Sequence, residues 1–205
     1  MERSGSTLVT QVLKQLFPGT KVQKIHGFMQ GAESLPIIST CRDFRDVMVS
    51  VWRVKNDISL KDLDNGRKMD PSDIDKYLVE LVSKIKILNR MRKAYDKNLI
   101  VLKYEKFTVD YDYMFNELEV FFHASFNNKL RDRIKRYSSL DMNTKRSAKF
   151  SSFHNGNWDK ITLIHGLHIY KNGQPGIWKQ LVPANKHDIV NSSLKGYLKQ
   201  WGYEV

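Results

Sequence analysis

A turn of small residues near the start of this chain leads directly into a helical pattern. Residues 3–7 read Arg-Ser-Gly-Ser-Thr, and the next six residues form an apolar run with helical spacing. Such a turn leaves the first backbone N–H groups of the helix free for anionic oxygens, and the hydroxyls of Ser4, Ser6 and Thr7 add donors. The segment therefore predicts a phosphate-binding loop, with an ordinary helix cap as the alternative.

A second candidate anion site follows a buried apolar run at residues 36–41. The pattern over residues 36–53 predicts a strand, a turn and a helix. Arg42 stands at the carboxyl end of that strand, and Ser50 lies about two turns into the helix. The planar guanidinium of arginine suits phosphate oxygens. Two anion sites in one chain favour a ligand with two phosphates.

The order of these motifs resembles that of the sulfotransferases that use 3'-phosphoadenosine 5'-phosphosulfate. Residues 3–7 resemble the family's 5'-phosphosulfate loop, Lys24-Ile25-His26 resembles its catalytic Lys-x-His segment at a strand end, and residues 42–50 resemble its 3'-phosphate segment. Further resemblances run nearly to the end of the chain: Tyr104-Glu105 after an apolar run, Ser139-Leu140-Asp141, Lys171-Asn172-Gly173 before Trp178, and residues 198–203.

The resemblance implies a P-loop-like α/β fold, with a short parallel sheet flanked by helices in one domain over residues 1–205. It also implies transfer of a sulfuryl group to a hydroxyl or amine acceptor, with adenosine 3',5'-bisphosphate as the product and no metal. The residues that it assigns to the nucleotide are Arg3, Ser4, Gly5, Ser6, Thr7, Arg42, Ser50, Tyr104, Ser139, Leu140, Lys171, Asn172 and Gly173.

The resemblance assigns catalysis to three residues. His26 is the expected general base, because an imidazole with a reference pKa near 6.5 accepts a proton around neutral pH. Lys24 and Arg3 are expected to stabilise the bridging and sulfuryl oxygens. On a strand, Lys24 and His26 would face one pocket while Ile25 packs away from it.

The sequence departs from the family pattern at several positions. The family has a full strand before the phosphate loop, and only two residues precede that loop here, so we expect a version without the first strand. Glu2 replaces a proline and brings a negative charge close to the anion site. Leu8 and Leu140 stand where many members carry tryptophan and phenylalanine, and Lys171-Asn172 replaces Arg-Lys. These changes remove two aromatic contacts and one guanidinium.

The net charge of +12 is compatible with three interpretations. A basic cleft for a phosphorylated ligand, attraction to nucleic acid and a solvated basic surface all fit it. Besides an active enzyme, the chain is therefore also interpreted as an inactive nucleotide-binding relative acting as an interaction protein, or as a basic nucleic-acid-binding protein. The favoured interpretation expects a small-molecule or glycan acceptor and no nucleic acid.

The apolar pattern predicts the order of the elements: helix, strand, strand, helix, long loop, long helix, strand, then mostly helices and loops. Asp70 is expected to cap the long helix. The apolar residues of this helix are expected to form one core-packing stripe: Ile74, Tyr77, Leu78, Leu81, Val82, Ile85, Leu88 and Met91. The polar stretches 55–69 and 141–168 are expected to be loops that close over substrates. With no apolar run of the length of a membrane span and no signal peptide before the first motif, a cytoplasmic protein is expected.

Overall fold

The computed structural model describes residues 3–25, 27, 31–150, 158–166 and 169–205. In these ranges the strands are β1 (Ile37–Cys41), β2 (Leu99–Lys103), β3 (Trp158–Asp159) and β4 (Ile164–His165). The α-helices are α1 (Ser6–Leu16), α2 (Phe44–Lys55), α3 (Leu60–Asp64), α4 (Asp73–Ala94), α5 (Tyr104–Phe107), α6 (Tyr111–Phe122), α7 (Asn128–Ser138), α8 (Leu140–Ser147), α9 (Trp178–Leu181) and α10 (His187–Gln200). Short 3-10 helices cover Lys171–Gly173 and Ala184–Lys186.

The central sheet consists of β1 and β2, which pair in parallel. Ile37 lies opposite Leu99, and Cys41 lies opposite Lys103 at the carboxyl ends of the two strands. Parallel strands need a long crossover, and α2, α3 and α4 provide it. The chain is therefore mixed α/β and mostly helical, as the sequence predicted, and its parallel sheet is short.

Helices cover both faces of this sheet, because successive side chains of a strand point to opposite sides. Cys41 and Val101 pack into a core formed mainly by α2, α4, α9 and α10. Ile100 and Leu102 pack into a second core, formed by α1, α5, α6 and α7. The parallel pair thus carries apolar cores on both sides, which is typical of parallel strands.

The expected strand ending in Lys24-Ile25-His26 is not present in the described residues. Residues 21–25 have no regular secondary structure, and Ile25 is exposed rather than packed. A segment forms a β-strand only when its backbone hydrogen-bonds to a neighbouring strand. Within the described residues, the strand that pairs with β1 is β2 and not the segment at residues 21–25. The prediction was therefore wrong for Lys24 and Ile25, and His26 lies outside the described residues.

The two stretches expected to be loops contain regular structure. Residues 55–69 include α3, which begins with a capping box between Ser59 and Asp62. Residues 141–168 include most of α8 and an antiparallel pair formed by β3 and β4. Polar composition marked both stretches as loops, but capping and short-range pairing satisfy their backbone groups instead.

The long helix α4 begins three residues later than the expected cap. The Asp70 carboxylate accepts from the backbone N–H and hydroxyl of Ser72, so it forms a turn before the helix rather than its cap. The predicted apolar stripe is confirmed, and its buried members are Ile74, Tyr77, Leu78, Leu81, Ile85, Leu88 and Met91. Among the described residues, no helix combines the length and apolar character needed to cross a membrane.

Candidate functional site

Two side chains meet where the parallel strands end. Arg42 follows β1 and Tyr104 follows β2, and parallel strands bring such residues to the same edge of a sheet. The Arg42 guanidinium carbon lies 4.3 Å from the centre of the Tyr104 ring. This edge therefore combines a cation with an aromatic surface that holds it by a cation–π contact.

The turn before α1 packs on the same edge. The buried Ser4 hydroxyl donates to the carbonyl of Thr40 at 3.1 Å and lies 2.6 Å from the Thr40 hydroxyl. Gly5 has a positive φ of 85° and lies against the rings of Tyr104 and Phe107. Within the described ranges no side chain caps the start of α1, so backbone N–H groups there have no capping oxygen. These contacts place the amino end of α1 beside the strand ends.

A cavity of about 270 Å³ lies at this point. Most of the residues predicted to hold the nucleotide line it: Arg3, Gly5, Thr7, Arg42, Ser50, Tyr104, Leu140 and Gly173. These residues come from the first turn, the start of α1, the turn after β1, α2, α5, α8 and the 3-10 helix before α9. The structure therefore brings together residues that are far apart in the sequence.

Three arginines supply the charge of this cavity. Arg3 donates from its Nε to the Ser50 hydroxyl at 3.0 Å, and Arg42 and Arg53 line the cavity beside it. Burial, together with the charges of Arg53 and Arg42, lowers the pKa of Arg3 to about 9. Burial, together with the charge of Arg42, lowers the pKa of Arg53 to about 10. A bound anion would relieve this repulsion.

The segment 174–178 closes one side of the cavity and is held by α2. The buried Asp46 carboxylate accepts from the backbone N–H groups of Gly176 at 2.7 Å and Trp178 at 3.0 Å. Arg42 donates to the carbonyl of Gln174 at 3.2 Å and forms an ion pair with Asp46 at 3.4 Å. The Asp46 carboxylate therefore connects residues 174–178, the closing segment, to Arg42 at the end of β1.

Tyr104 holds the neighbouring part of this segment. Its hydroxyl donates to the carbonyl of Gly173 at 2.7 Å. A Cβ on Gly173 would collide with that hydroxyl, and the residue has a positive φ of 66°. The sequence left Tyr104 open between a ligand contact and core packing, and its position combines a cavity wall with packing on Phe107.

Lys24 lies at the boundary between this cavity and a larger one. Its Nζ donates to the Thr7 hydroxyl at 2.7 Å. Thr7 lines the smaller cavity, whereas Lys24 and Ser6 line the larger. Burial, and then the charge of Arg3, lower the pKa of Lys24 to about 8. The amine thus lies between the two cavities and titrates close to neutral pH.

The larger cavity has a volume of about 720 Å³. Its walls come from α1, β1, α4 and residues 20–25, and most of their side chains here are apolar, as shown by Val9, Leu13, Ile38 and Met91. Such a space suits a ligand with an apolar body. Its polar groups include Ser6, in the turn at residues 3–7, and Lys24, which contacts Thr7 of the same turn.

Some predicted ligands have their side chains engaged elsewhere. Ser4 bonds to Thr40 as described, and the Ser139 hydroxyl caps α8 by accepting from Met142 at 3.2 Å. The exposed Lys171 amine donates to Gln180 Oε1 at 2.7 Å. These three side chains were expected to bind phosphate or adenine. In the structure they form hydrogen bonds with other groups of the protein instead. His26 and the Asn172 side chain lie outside the described residues.

Among the residues of the smaller cavity that sequence reasoning missed are Arg53, Tyr111 and Tyr170. Arg53 follows Ser50 by three positions on α2, so the helical period could have placed it on the same helix face. No local pattern identifies the two tyrosines, because their positions depend on contacts between distant elements. With Tyr104, they give the cavity the aromatic surfaces that the leucines at positions 8 and 140 do not supply.

Comparison with known proteins gives this chain no family: no protein-family model matches it, and no curated protein matches it.

Proposed function

We propose that this chain is a sulfotransferase with a P-loop-like fold, which moves the sulfuryl group of 3'-phosphoadenosine 5'-phosphosulfate to a hydroxyl or amine acceptor. One observation carries the proposal. Arg3, Arg42 and Arg53 converge with Ser50 on a single cavity at the start of α1. A ligand with several phosphate charges is complementary to two buried cations, Arg42 and Arg53, a half-buried third, Arg3, and a helix start.

The two ends of the nucleotide have different partners in this proposal. The turn at residues 3–7 and the start of α1 hold the 5'-phosphosulfate, where backbone N–H groups favour an anion. Arg42 and Ser50 hold the 3'-phosphate, and the segment that Asp46 ties down closes over it. Tyr104, Tyr111 and Tyr170 give the adenine apolar and aromatic surfaces.

Sulfuryl transfer needs one proton acceptor and one stabilised leaving group. The acceptor oxygen forms a bond to sulfur while the bond from sulfur to the bridging oxygen of the nucleotide breaks. His26, by its resemblance to the family's Lys-x-His segment, takes the hydroxyl proton. Lys24 and Arg3 stabilise the charge that grows on the phosphate of the departing adenosine 3',5'-bisphosphate.

The acceptor occupies the larger cavity in this proposal. Lys24 lines that cavity and donates to Thr7, which lines the smaller one, so the transfer point lies between them. The apolar walls favour acceptors with an apolar body and a single hydroxyl or amine. Acceptor screening therefore begins with such alcohols, phenols and amines.

Calorimetric binding of adenosine 3',5'-bisphosphate, with 5'-AMP as the comparison, tests the nucleotide site. We expect wild type to prefer the bisphosphate, and Arg42→Ala to lose roughly tenfold to hundredfold in affinity for it, because hydrogen bonds to charged groups are among the strongest. The affinity for 5'-AMP should change much less, so the preference disappears. Arg42→Lys keeps the charge without the planar fork and should lie between the two.

Three results would contradict the proposal. Equal binding of the two nucleotides by wild type would remove the 3'-phosphate site, and salt-sensitive binding to polynucleotides without this preference would favour a nucleic-acid-binding protein. Bisphosphate binding without sulfuryl transfer to any acceptor would favour an inactive nucleotide-binding relative. Circular dichroism of each variant shows whether the fold is retained.

The pKa of Lys24 predicts how nucleotide binding depends on pH. In the free protein this pKa is about 8, so the amine loses its charge above that pH. A bound phosphosulfate favours the charged amine and raises its pKa, and binding therefore weakens as pH rises above about 8. We expect the bisphosphate affinity to fall by up to about tenfold per pH unit between pH 8 and 9.

Lys24→Met is the matched control for this pH profile. It should bind more weakly at pH 7 and should show a flatter profile between pH 8 and 9, because the titrating amine is gone. The same slope in wild type and variant would assign the pH dependence to another group. Lys14→Met removes an exposed lysine amine whose contact is to Ile161, away from both cavities, and should leave the profile unchanged.

A further inference from the structure

Arg53 is a buried cation whose contacts with the described residues do not satisfy it. The residue is 3% exposed, and its Nη1 is buried without a hydrogen-bond partner in the described part of the chain. Its guanidinium carbon lies 5.8 Å from the centre of the Tyr170 ring, at the outer limit of a cation–π contact. A buried charge with an unsatisfied donor is costly, and it signals a ligand that completes the site.

The position of Arg53 identifies where that ligand lies. It follows Ser50 by one turn of α2, and both side chains line the smaller cavity with Arg3 and Arg42. Arg42 donates from its Nη2 to the Asp46 carboxylate and to the carbonyl of Gln174. Its Nε is buried and has no hydrogen-bond partner among the residues described. The cavity thus contains two arginines, each with an unsatisfied N–H group.

The charge balance around these two donors indicates an anion. Within the described ranges Arg42 forms its ion pair with Asp46, and Arg53 has no carboxylate partner. The Asp46 carboxylate is already engaged by two backbone N–H groups of the closing segment. An anion from outside the described residues would balance the charge of Arg53, and a phosphate monoester carries about two negative charges near neutral pH.

We propose that Arg53 is a specificity-determining residue, which binds the 3'-phosphate of the nucleotide together with Arg42 and Ser50 and so selects 3',5'-bisphosphates over 5'-monophosphates. This rests on the proposed nucleotide site. In this proposal the guanidinium groups of Arg53 and Arg42 donate to the phosphate oxygens, and Ser50 lines the same cavity. A nucleotide without that phosphate leaves both donors unsatisfied, which disfavours its binding.

Calorimetry with adenosine 3',5'-bisphosphate and 5'-AMP tests the role of Arg53. Arg53→Met keeps the apolar stem of the side chain and removes its donors. We expect it to weaken bisphosphate binding roughly tenfold to hundredfold, and to leave 5'-AMP binding within about twofold. Arg53→Lys keeps a buried cation, tests the same point if the methionine variant does not fold, and should lose a smaller factor.

Lys55→Met is the control variant, because it removes the same charge from the exposed end of α2, where the amine pairs with Glu80 at 2.7 Å. It should leave both affinities unchanged. If wild type itself does not prefer the bisphosphate, the proposed function fails. If wild type prefers it and both Arg53 variants keep that preference, the proposed function stands and the assignment of Arg53 is wrong.

A purely structural role for Arg53 gives a different result. If the residue only packs against Tyr170, the variants change the affinities for both nucleotides by the same factor and lower the midpoint of thermal unfolding. Under the proposal, Arg53→Met changes the ratio of the two affinities, and its unfolding midpoint without nucleotide stays the same or rises, since an unsatisfied buried charge is removed.

Discussion

Asp46→Ala is expected to lower the free energy of unfolding by about 3–5 kcal/mol, the range for breaking a buried ion pair by removing one partner. The Asp46 carboxylate is fully buried and accepts from two backbone N–H groups and Arg42. Without it, the N–H groups of Gly176 and Trp178 are left unsatisfied, and Arg42 loses its counter-charge. Chemical denaturation followed by circular dichroism measures this loss.

Two further variants compare the buried contacts of Asp46 with an ordinary capping contact at the start of a helix. Asp110→Ala removes a carboxylate that accepts from the backbone N–H of Asp112 at the exposed start of α6, and should cost about 1 kcal/mol. Asp46→Asn keeps the shape but replaces one acceptor oxygen with a donor, so its cost should lie between the two. Equal losses for Asp46→Ala and Asp110→Ala would show that the closing segment does not depend on Asp46.

Gly5→Ala is expected to be the most damaging change in the turn at residues 3–7. The added Cβ would lie 2.6 Å from Cζ of Phe107 and 2.7 Å from Cδ2 of Tyr104, at a backbone φ of 85°. The left-handed conformation costs an L residue about 1–2 kcal/mol, and overpacking of the core adds about 1–3 kcal/mol. Chemical denaturation should therefore show a loss of about 2–5 kcal/mol.

Gly19→Ala is the matched control for this substitution. Gly19 has nearly the same φ of 89°, but no heavy atom of the described residues lies within 4 Å of the place that an added methyl would take. Only the conformational cost therefore applies there. The difference between the two alanine variants measures the contact with Tyr104 and Phe107. If Gly5→Ala costs no more than Gly19→Ala, the turn does not pack on α5 as described.

The smaller cavity shows which residues of the site helical and strand patterns in the sequence could predict. Arg42 was placed at a strand end and Ser50 on the following helix from local sequence, and both line the cavity. The same helical period places Arg53 on that face, because residues three apart on a helix are neighbours. The direction of each side chain within the site needed the packed structure, since Ser4 and Lys171 bond to residues that no local pattern connects to them.

The segment at residues 21–25 shows where local patterns fail. Its resemblance to the family's Lys-x-His segment suggested a strand that would bring Lys24 and His26 to one face, but pairing in a sheet depends on a neighbour elsewhere in the chain. Lys24 nevertheless contacts the start of α1, where its amine donates to Thr7. That contact joins an irregular segment to a helix, so it follows from tertiary packing rather than from strand geometry.

The sequence by itself determined the α/β character with a short parallel sheet, the strand within residues 36–41, the apolar stripe of α4 and the place of Arg42 at the end of that strand. Each of these depends on residues a few positions apart, whose spacing matches the period of a helix or a strand. Only the tertiary structure decided that three arginines share one cavity, that Asp46 ties down the closing segment, and that a larger apolar cavity lies beyond Lys24. Those features join residues more than a hundred positions apart in places, and it is the packing of helices on both faces of the short sheet that brings them together.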